Sequence, residues 1–214
     1  MNKIYRSNAN VRTVDAESRT ISGYAVVFDS WSRDLGGFIE IIKKGAITEE
    51  LLNSSNIIMN TNHNDEQMLA RWVEGHGTLR LELREDGLYF EFEAPETERG
   101  NELLWNIRNG NLYECSFCFA LPTDASSERW YREDGQLKRE ICRIAGLYDC
   151  SIVNTAAYPA TSVANREEVD VEAIVRSLDE AEAEEKRKEE ETRKAEITAK
   201  LDEKLSNFYK NISL

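Results

Sequence analysis

The sequence predicts a mainly β fold with a few short helices, followed by a charged helix at the C-terminal end. Three observations support this. Alternating apolar and polar residues recur in several short segments, these segments do not alternate regularly with helices, and the composition changes near residue 165. The first part, residues 1–165, is expected to form an antiparallel sheet or barrel with helices on its outside. Residues 166–214 are expected to form a helical tail.

The clearest strand signal is the segment TLRLELREDGLYFEFEA, residues 78–94. Apolar residues alternate with polar ones on both sides of Asp86-Gly87, which is a typical turn pair, so the segment predicts a half-buried β-hairpin. Four further apolar runs predict strands: ISGYAVVFDS (21–30), NIIMNTN (56–62), LYECSFCFAL (112–121) and LYDCSIVN (147–154).

Two short helices are expected between these strands. AITEELLN, residues 46–53, has Thr48 in position to cap its first turn. ETERGNELLWNIRNG, residues 96–110, ends in Gly110, which favours a helix stop. Its apolar side would carry Leu103, Leu104 and Ile107.

The tail, residues 166–214, lacks glycine, proline, tryptophan and cysteine. Its middle, EEKRKEEETRK (184–194), has no apolar residue, and its glutamates precede lysines at i,i+4 spacing, which supports an exposed helix. Apolar residues then return in one helical stripe at Ile197, Leu201, Leu205 and Phe208. Two interpretations stay open: a solvated helix, or a helix that docks on a partner or on another copy of the chain.

Composition narrows the classes of function. A formal net charge of −13 argues against non-specific nucleic-acid binding, which needs clustered Lys and Arg. The apolar runs are too short to cross a bilayer, and no signal peptide is expected. Four cysteines without an export signal indicate reduced thiols in a cytoplasmic setting.

The segment YECSFCF, residues 113–119, contains a C-x-x-C pattern. In a strand, Cys115 and Cys118 would point to opposite faces, and Cys142 and Cys150 do not form a second C-x-x-C. Buried inert thiols are therefore favoured over a metal or redox site, and no metal or cofactor is expected.

The residue between those cysteines, Ser116, is a candidate nucleophile, which needs a neighbouring base. The chain has two histidines. His63 follows a predicted strand, whereas His76 lies between two glycines in a predicted turn. A carboxylate that orients the imidazole would come from Asp149 or Asp65.

Taken in their order along the chain, the sequence motifs resemble those of the prohead (capsid-maturation) serine proteases of tailed bacteriophages. The resemblance runs from about Ile21 to Val163. It rests on five segments: ISGYAVVFDS, FIEIIKKGAITEEL, NHND, GLYFEFEAPETERGNELLWNIRNGNLYECSFCF and LYDCSIVNTAAYPATSV.

The resemblance implies a serine endopeptidase with Ser116 as nucleophile, His63 as general base and Asp149 as the third member. Asp149 stands where the family often has glutamate, and Cys118 replaces the usual glycine after Ser-Phe. Arg143 is a candidate donor to the oxyanion. The implied fold is an antiparallel β-barrel ringed by short helices, similar to that of herpesvirus assemblin.

The resemblance also implies partners. The expected substrates are the major capsid protein, a scaffold protein and the protease itself, inside assembling proheads in the host cytoplasm. The tail would tether the enzyme or be removed by self-cleavage. One alternative is a non-catalytic assembly or scaffold-like protein that uses the tail for self-association, and another is a thiol-metal protein.

Overall fold

The computed structural model describes residues 4–13, 17–124, 126–154 and 169–212. The chain divides into two compact units, Met1–Val169 and Asp170–Leu214. Within the described residues the first unit contains twelve strands, two α-helices and a short 3-10 helix, and the second unit is a single α-helix. The fold is therefore mainly β with a few helices, as predicted.

The strands of the first unit are β1 (Ile4–Thr13), β2 (Thr20–Val27), β3 (Phe38–Ile42), β4 (Asn56–Thr61), β5 (Ala70–Val73), β6 (His76–Gly77), β7 (Leu79–Arg84), β8 (Gly87–Glu93), β9 (Glu114–Ala120), β10 (Glu128–Glu133), β11 (Gln136–Ile141) and β12 (Gly146–Val153). The helices are α1 (Glu49–Ser54), α2 (Glu98–Arg108) and, in the second unit, α3 (Val171–Ile212). The 3-10 helix is Asp65–Gln67.

Nine strands form one sheet in the order β6-β5-β4-β12-β9-β1-β2-β8-β7. Neighbouring strands are antiparallel except β4 and β12, which are parallel. The prediction of an antiparallel sheet is thus wrong for this pair. Most of the domain separates β4 from β12 in sequence, so no hairpin dictates their relative direction. The parallel pair matters because it lies at the candidate site.

The two ends of this sheet are adjacent in sequence. Gly77 ends β6 and Leu79 begins β7, so Thr78 alone joins them. In a flat sheet, eight strand spacings of about 4.8 Å would separate these ends by roughly 38 Å, which one residue cannot span. The sheet must therefore curl back on itself. Among the described strands no ladder joins β6 to β7, so closure into the expected barrel stays a prediction.

The local signals for the hairpin and the two helices are confirmed. β7 and β8 pair across the Asp86 turn. The Thr48 Oγ1 atom accepts a hydrogen bond from the Leu51 N–H at the start of α1. Gly110 follows α2 with φ of +72°, the left-handed conformation that stops a helix at low cost in glycine. The apolar side of α2 is buried through Leu103, Leu104 and Ile107.

Strand β1 is not predicted by the sequence. Its residues, IYRSNANVRT, are largely polar and lack a sustained alternation. The strand nevertheless pairs with β9 on one side and β2 on the other. Pairing with two neighbours supplies the backbone hydrogen bonds, so the strand does not need a strong intrinsic preference.

The core is built on one face of the central strands. Along β9, Phe117 and Phe119 stack with ring centroids 5.1 Å apart. Ile57 and Met59 of β4 and Phe90 of β8 belong to the same buried cluster. Every residue of β9 is buried, on both faces of the sheet. The face opposite the core therefore holds polar side chains in a buried environment.

A second sheet has the order β10-β11-β3 and carries a buried ion-pair cluster. The Arg139 guanidinium, 1% exposed, lies 3.1 Å from a Glu40 carboxylate oxygen and 2.5 Å from one of Glu128. The guanidinium also lies over the Trp130 ring at 5.1 Å. Since the Glu40 side chain is only 2% exposed, Arg139 compensates a charge that water does not reach.

The second unit, α3, is a long helix with a charged middle. The expected ion pairs form between Glu184 and Lys188 and between Glu190 and Lys194, each at 2.7 Å. Ile197 and Leu201 are 50% and 55% exposed. The predicted stripe also includes Leu205 and Phe208, whose side chains lie outside the described residues. Among the described residues, no helix has both the length and the apolar character to span a membrane.

We predict that Arg139→Ala lowers the free energy of unfolding by about 3–5 kcal/mol, because it leaves the buried Glu40 carboxylate without its cation. Arg129 offers a matched control on the same sheet. It pairs with Glu140 at 3.7 Å and its side chain is 68% exposed, so Arg129→Ala should cost less than about 1 kcal/mol. Urea unfolding of both variants measures the difference. Equal unfolding midpoints would contradict the assignment.

Candidate active site

Two neighbouring strands place Ser116 and Asp149 on the same side of the sheet. β9 and β12 are antiparallel, with Ser116 opposite Ser151 and Cys118 opposite Asp149. Residues two apart on a strand share a face, so Ser116 and Cys118 face the same way, as do Asp149 and Ser151. This is the face opposite the core.

A β-bulge sets the direction of Asp149. The register of β12 shifts between Leu147 and Asp149. Leu147, Cys150 and Ile152 all belong to the core, although Leu147 and Cys150 are three residues apart. The extra residue, Tyr148, changes the phase of the alternation, which is the usual effect of a bulge. If β12 alternated regularly through Tyr148, with no bulge, Asp149 would share the core face with Leu147.

His63 reaches the same place from the other side of β12. The parallel strand β4 ends at Thr61, beside Ile152, and His63 follows two residues later. Asn62 and His63 both have left-handed backbone conformations, with φ of +51° and +55°. The His63 N–H donates to Ser151 Oγ at 2.8 Å. This turn directs the imidazole back across the end of β12.

The three side chains form a continuous hydrogen-bonded series. His63 Nδ1 lies 2.8 Å from Asp149 Oδ1, and His63 Nε2 lies 2.7 Å from Ser116 Oγ. A carboxylate only accepts hydrogen bonds, so Nδ1 carries the imidazole proton. Nε2 is then free to accept the serine hydroxyl proton. Ser116 is fully buried, whereas the His63 side chain is 20% exposed.

The alternative candidates lie elsewhere. The Asp65 carboxylate accepts a hydrogen bond from Asn60 Nδ2 at 3.3 Å, at the start of the 3-10 helix. His76 is exposed on the edge strand β6. The Arg143 guanidinium pairs with Asp124, and both side chains are about half exposed. Of the two carboxylates considered for orienting His63, Asp149 is the one that lies within hydrogen-bonding distance of the ring.

The cysteines do not gather around a common centre. None of the four forms a disulfide bond, and only Cys142 is exposed. Burial raises the pKa of the Cys115 thiol well above its usual range, and the nearby Asp149 carboxylate raises it further. Burial likewise raises the pKa of Cys150. Both thiols are therefore protonated at neutral pH, unlike reactive thiolates. The described residues include no cluster of three or more His, Cys, Asp or Glu side chains arranged for a metal ion.

Two residues that hold the His63 turn against β12 are not predicted by the sequence. Ser151 holds the His63 backbone, and the Asn62 N–H donates to the Ile152 carbonyl at 3.1 Å. The position of Ser151 could have been predicted, because it lies two residues after Asp149 in a predicted strand and therefore shares its face. Asn62 gives a weaker indication of a turn, since asparagine tolerates left-handed backbone better than most residues.

A carboxylate, an imidazole and a hydroxyl in this order have the geometry of a serine hydrolase site. Residues 7–175 match the sequence profile of the caudovirus prohead serine proteases. The chain belongs to this family, and it is therefore a serine protease of the prohead type.

One solved structure that matches the chain is the bacteriophage T4 capsid assembly protease, gp21. It is 13% identical, with a TM-score of 0.45, and the alignment covers 71% of this chain and 97% of that one. No curated protein matches the chain in sequence.

Proposed function

We propose that the chain is an endopeptidase that cleaves capsid or scaffold proteins during phage prohead maturation. Ser116 is the nucleophile, His63 the general base and Asp149 the group that orients the imidazole. The observation that carries this proposal is the unbroken series from Asp149 Oδ1 through the His63 ring to Ser116 Oγ, with both links below 3 Å. Membership of the prohead protease family supports the substrate class.

In the first half of the reaction, Ser116 Oγ attacks the scissile carbonyl carbon while its proton passes to His63 Nε2. The Asp149 carboxylate stabilises the imidazolium that forms and keeps its orientation. When the tetrahedral intermediate collapses, the carbon–nitrogen bond breaks and the proton on Nε2 moves to the leaving amine. The product is an ester between Ser116 and the acyl half of the substrate.

Water completes the second half. Its oxygen attacks the ester carbonyl as His63 Nε2 takes one of its protons, and that proton returns to Ser116 Oγ as the ester bond breaks. The acyl half leaves as a carboxylic acid. Since Ser116 has no exposed surface and His63 is partly exposed, substrate approaches from the His63 side, and the structure must open over Ser116 for attack.

The tail, residues 166–214, is proposed to act outside the chemical step, with residues 1–165 as the protease domain. α3 carries i,i+4 ion pairs along its charged middle and exposed apolar side chains at Ile197 and Leu201. These features suit a tether that binds scaffold or capsid protein inside the assembling prohead in the host cell, or a segment that self-cleavage removes.

We further infer that the curled sheet closes into the predicted assemblin-like barrel by bringing β6 and β7 together. The support is the single-residue connection at Thr78 between the two ends of the sheet. Hydrogen exchange tests this directly. Strong protection of the Leu79 amide on the edge strand β7 would support closure, whereas exchange at the rate of an exposed loop would contradict it.

We predict that Ser116→Ala lowers the rate of substrate cleavage by about 10⁴–10⁶-fold, the range seen when a serine nucleophile is removed. The change removes one hydroxyl, so circular dichroism and the urea midpoint should stay close to those of the unchanged protein. Gel analysis of a capsid or scaffold substrate, and of the chain itself, measures the loss.

His76→Ala is the matched control, because His76 is exposed and away from the site, and it should cleave at the unchanged rate. Undiminished processing by Ser116→Ala would overturn the proposal. Absence of any cleavage by the unchanged protein would favour the non-catalytic assembly protein.

Deletion of residues 166–214 should reduce incorporation of the enzyme into proheads while peptidase activity on a free peptide is retained. The reason is that α3 forms a compact unit separate from the one that carries the catalytic groups. Quantitative mass spectrometry of purified proheads and a peptide cleavage assay give the two readouts. Equal loss of both would instead assign the tail a role in folding.

A further inference from the structure

The histidine of the site lies in a tight turn with an uncommon backbone conformation. His63 and the preceding Asn62 both have positive φ, +55° and +51°. Most residues with a Cβ atom disfavour this region, but asparagine and histidine are enriched in it. Two such residues in succession form the centre of a type I′ turn, which the Asn64 N–H closes by donating to the Thr61 carbonyl at 3.1 Å. The position of the imidazole therefore depends on the contacts that hold this turn against β12.

Ser151 supplies a bond to His63 itself. Its Oγ accepts the hydrogen bond of the His63 backbone N–H at 2.8 Å, and the Ser151 residue has no exposed surface. The hydrogen bond itself is partly buried, so loss of the hydroxyl would leave the His63 N–H without its acceptor, at a cost in free energy.

Ser151 and Asp149 act on the same histidine from the same strand. They are two residues apart on β12 and share a face. Asp149 accepts from the ring at Nδ1, while Ser151 accepts from the main chain. One strand thus fixes both the position of the His63 backbone and the rotation of its ring.

The position of Ser151 in the sheet relates His63 to the nucleophile. Ser151 lies opposite Ser116 on β9 and beside Asn60 on β4. It therefore stands between the strand that carries the hydroxyl and the strand that leads into the histidine turn. A shift of His63 away from Ser151 would lengthen the 2.7 Å contact between Nε2 and Ser116 Oγ.

Other bonds brace the neighbours of His63. The Asn62 N–H donates to the Ile152 carbonyl at 3.1 Å, and Asn62 Oδ1 accepts from the Asn154 N–H at 3.3 Å. Asn60 Nδ2 reaches Asp65 at 3.3 Å across the base of the turn. These contacts keep the turn folded when Ser151 is changed, so the effect of Ser151 on His63 can be measured separately.

We propose that Ser151 is a positioning residue for the cleavage reaction. Its hydroxyl oxygen holds the main chain of His63 so that Nε2 stays within hydrogen-bonding distance of Ser116 Oγ. The inference rests on the proposed function, since it assigns Ser151 a role in the proton transfer between Ser116 and His63.

The test compares Ser151→Ala with a control serine of similar burial. Ser127 is 2% exposed and its hydroxyl donates to the Asp124 carbonyl at 2.8 Å, in the segment just before β10 and not at the His63 turn. Ser151→Ala should lower kcat for a peptide substrate by about 10²-fold, the size of loss that a misplaced catalytic group produces. KM should change little, because Ser151 is not proposed to contact substrate. Ser127→Ala should leave both constants unchanged.

Two substitutions at the same position separate positioning from general stability. Ser151→Thr keeps an acceptor oxygen and should recover most of kcat. Ser151→Cys keeps the shape but offers a weak acceptor, so it should fold and remain slow. If Ser151→Ala does not fold, the contrast between Thr and Cys decides the question. Equal kcat in these two folded variants, or an unchanged kcat in Ser151→Ala, would overturn the proposal.

An NMR measurement tests positioning without activity. The chain has only two histidines, so ¹⁵N-histidine labelling together with His76→Ala assigns the His63 Nδ1–H proton. We expect a slowly exchanging downfield signal that survives Ser127→Ala and is lost or exchange-broadened in Ser151→Ala.

The two readouts also distinguish failure of this inference from failure of the proposed function. An inactive native protein whose His63 signal still depends on Ser151 would refute the protease assignment alone. An active protein whose signal and kcat are indifferent to Ser151→Ala would refute the positioning role alone.

Discussion

The pairing of β12 with β9 on one side and β4 on the other is the constraint on which the site depends. The antiparallel register with β9 brings Asp149 and Ser151 beside the strand that carries Ser116. The parallel register with β4 delivers His63 to the same place. Because backbone ladders fix these registers, the three groups proposed as the triad converge without any of them needing to be close in sequence. A one-residue slip in either ladder would send the groups to opposite faces.

Burial holds the side chains of the site in fixed positions. The core face of β9 packs Phe117 and Phe119, and the opposite face is also closed to solvent although it carries polar groups. Buried polar groups are stable only when they are hydrogen-bonded. The Ser116 hydroxyl, the imidazole and the Asp149 carboxylate are hydrogen-bonded in series, and the Ser151 hydroxyl oxygen accepts from the His63 main-chain N–H. The hydrogen bonds that offset the cost of burying these polar groups therefore also hold them in the geometry that proton transfer requires.

Much of this could be predicted from the sequence, and the rest depends on tertiary pairing. The β7–β8 hairpin and the Thr48 cap follow from local patterns, which the structure confirms. Strand β1 and the parallel direction of β4 and β12 have no local signal, because neighbouring strands impose them. Alternation counted from Leu147 would place Asp149 on the core face, and only the bulge at Tyr148 corrects it. The residues make Ser116, His63 and Asp149 candidates and the resemblance implies their roles, while the structure places the three side chains within hydrogen-bonding distance in series.

The central claim is that Ser116 is a nucleophile activated by His63. The most direct measurement is peptide mapping by mass spectrometry after treatment with a fluorophosphonate, under conditions in which the protein cleaves its substrate. We expect a single phosphonyl group on Ser116 and none on Ser116 in the His63→Ala protein. Labelling of a different serine, or equal labelling of Ser116 without His63, would contradict it.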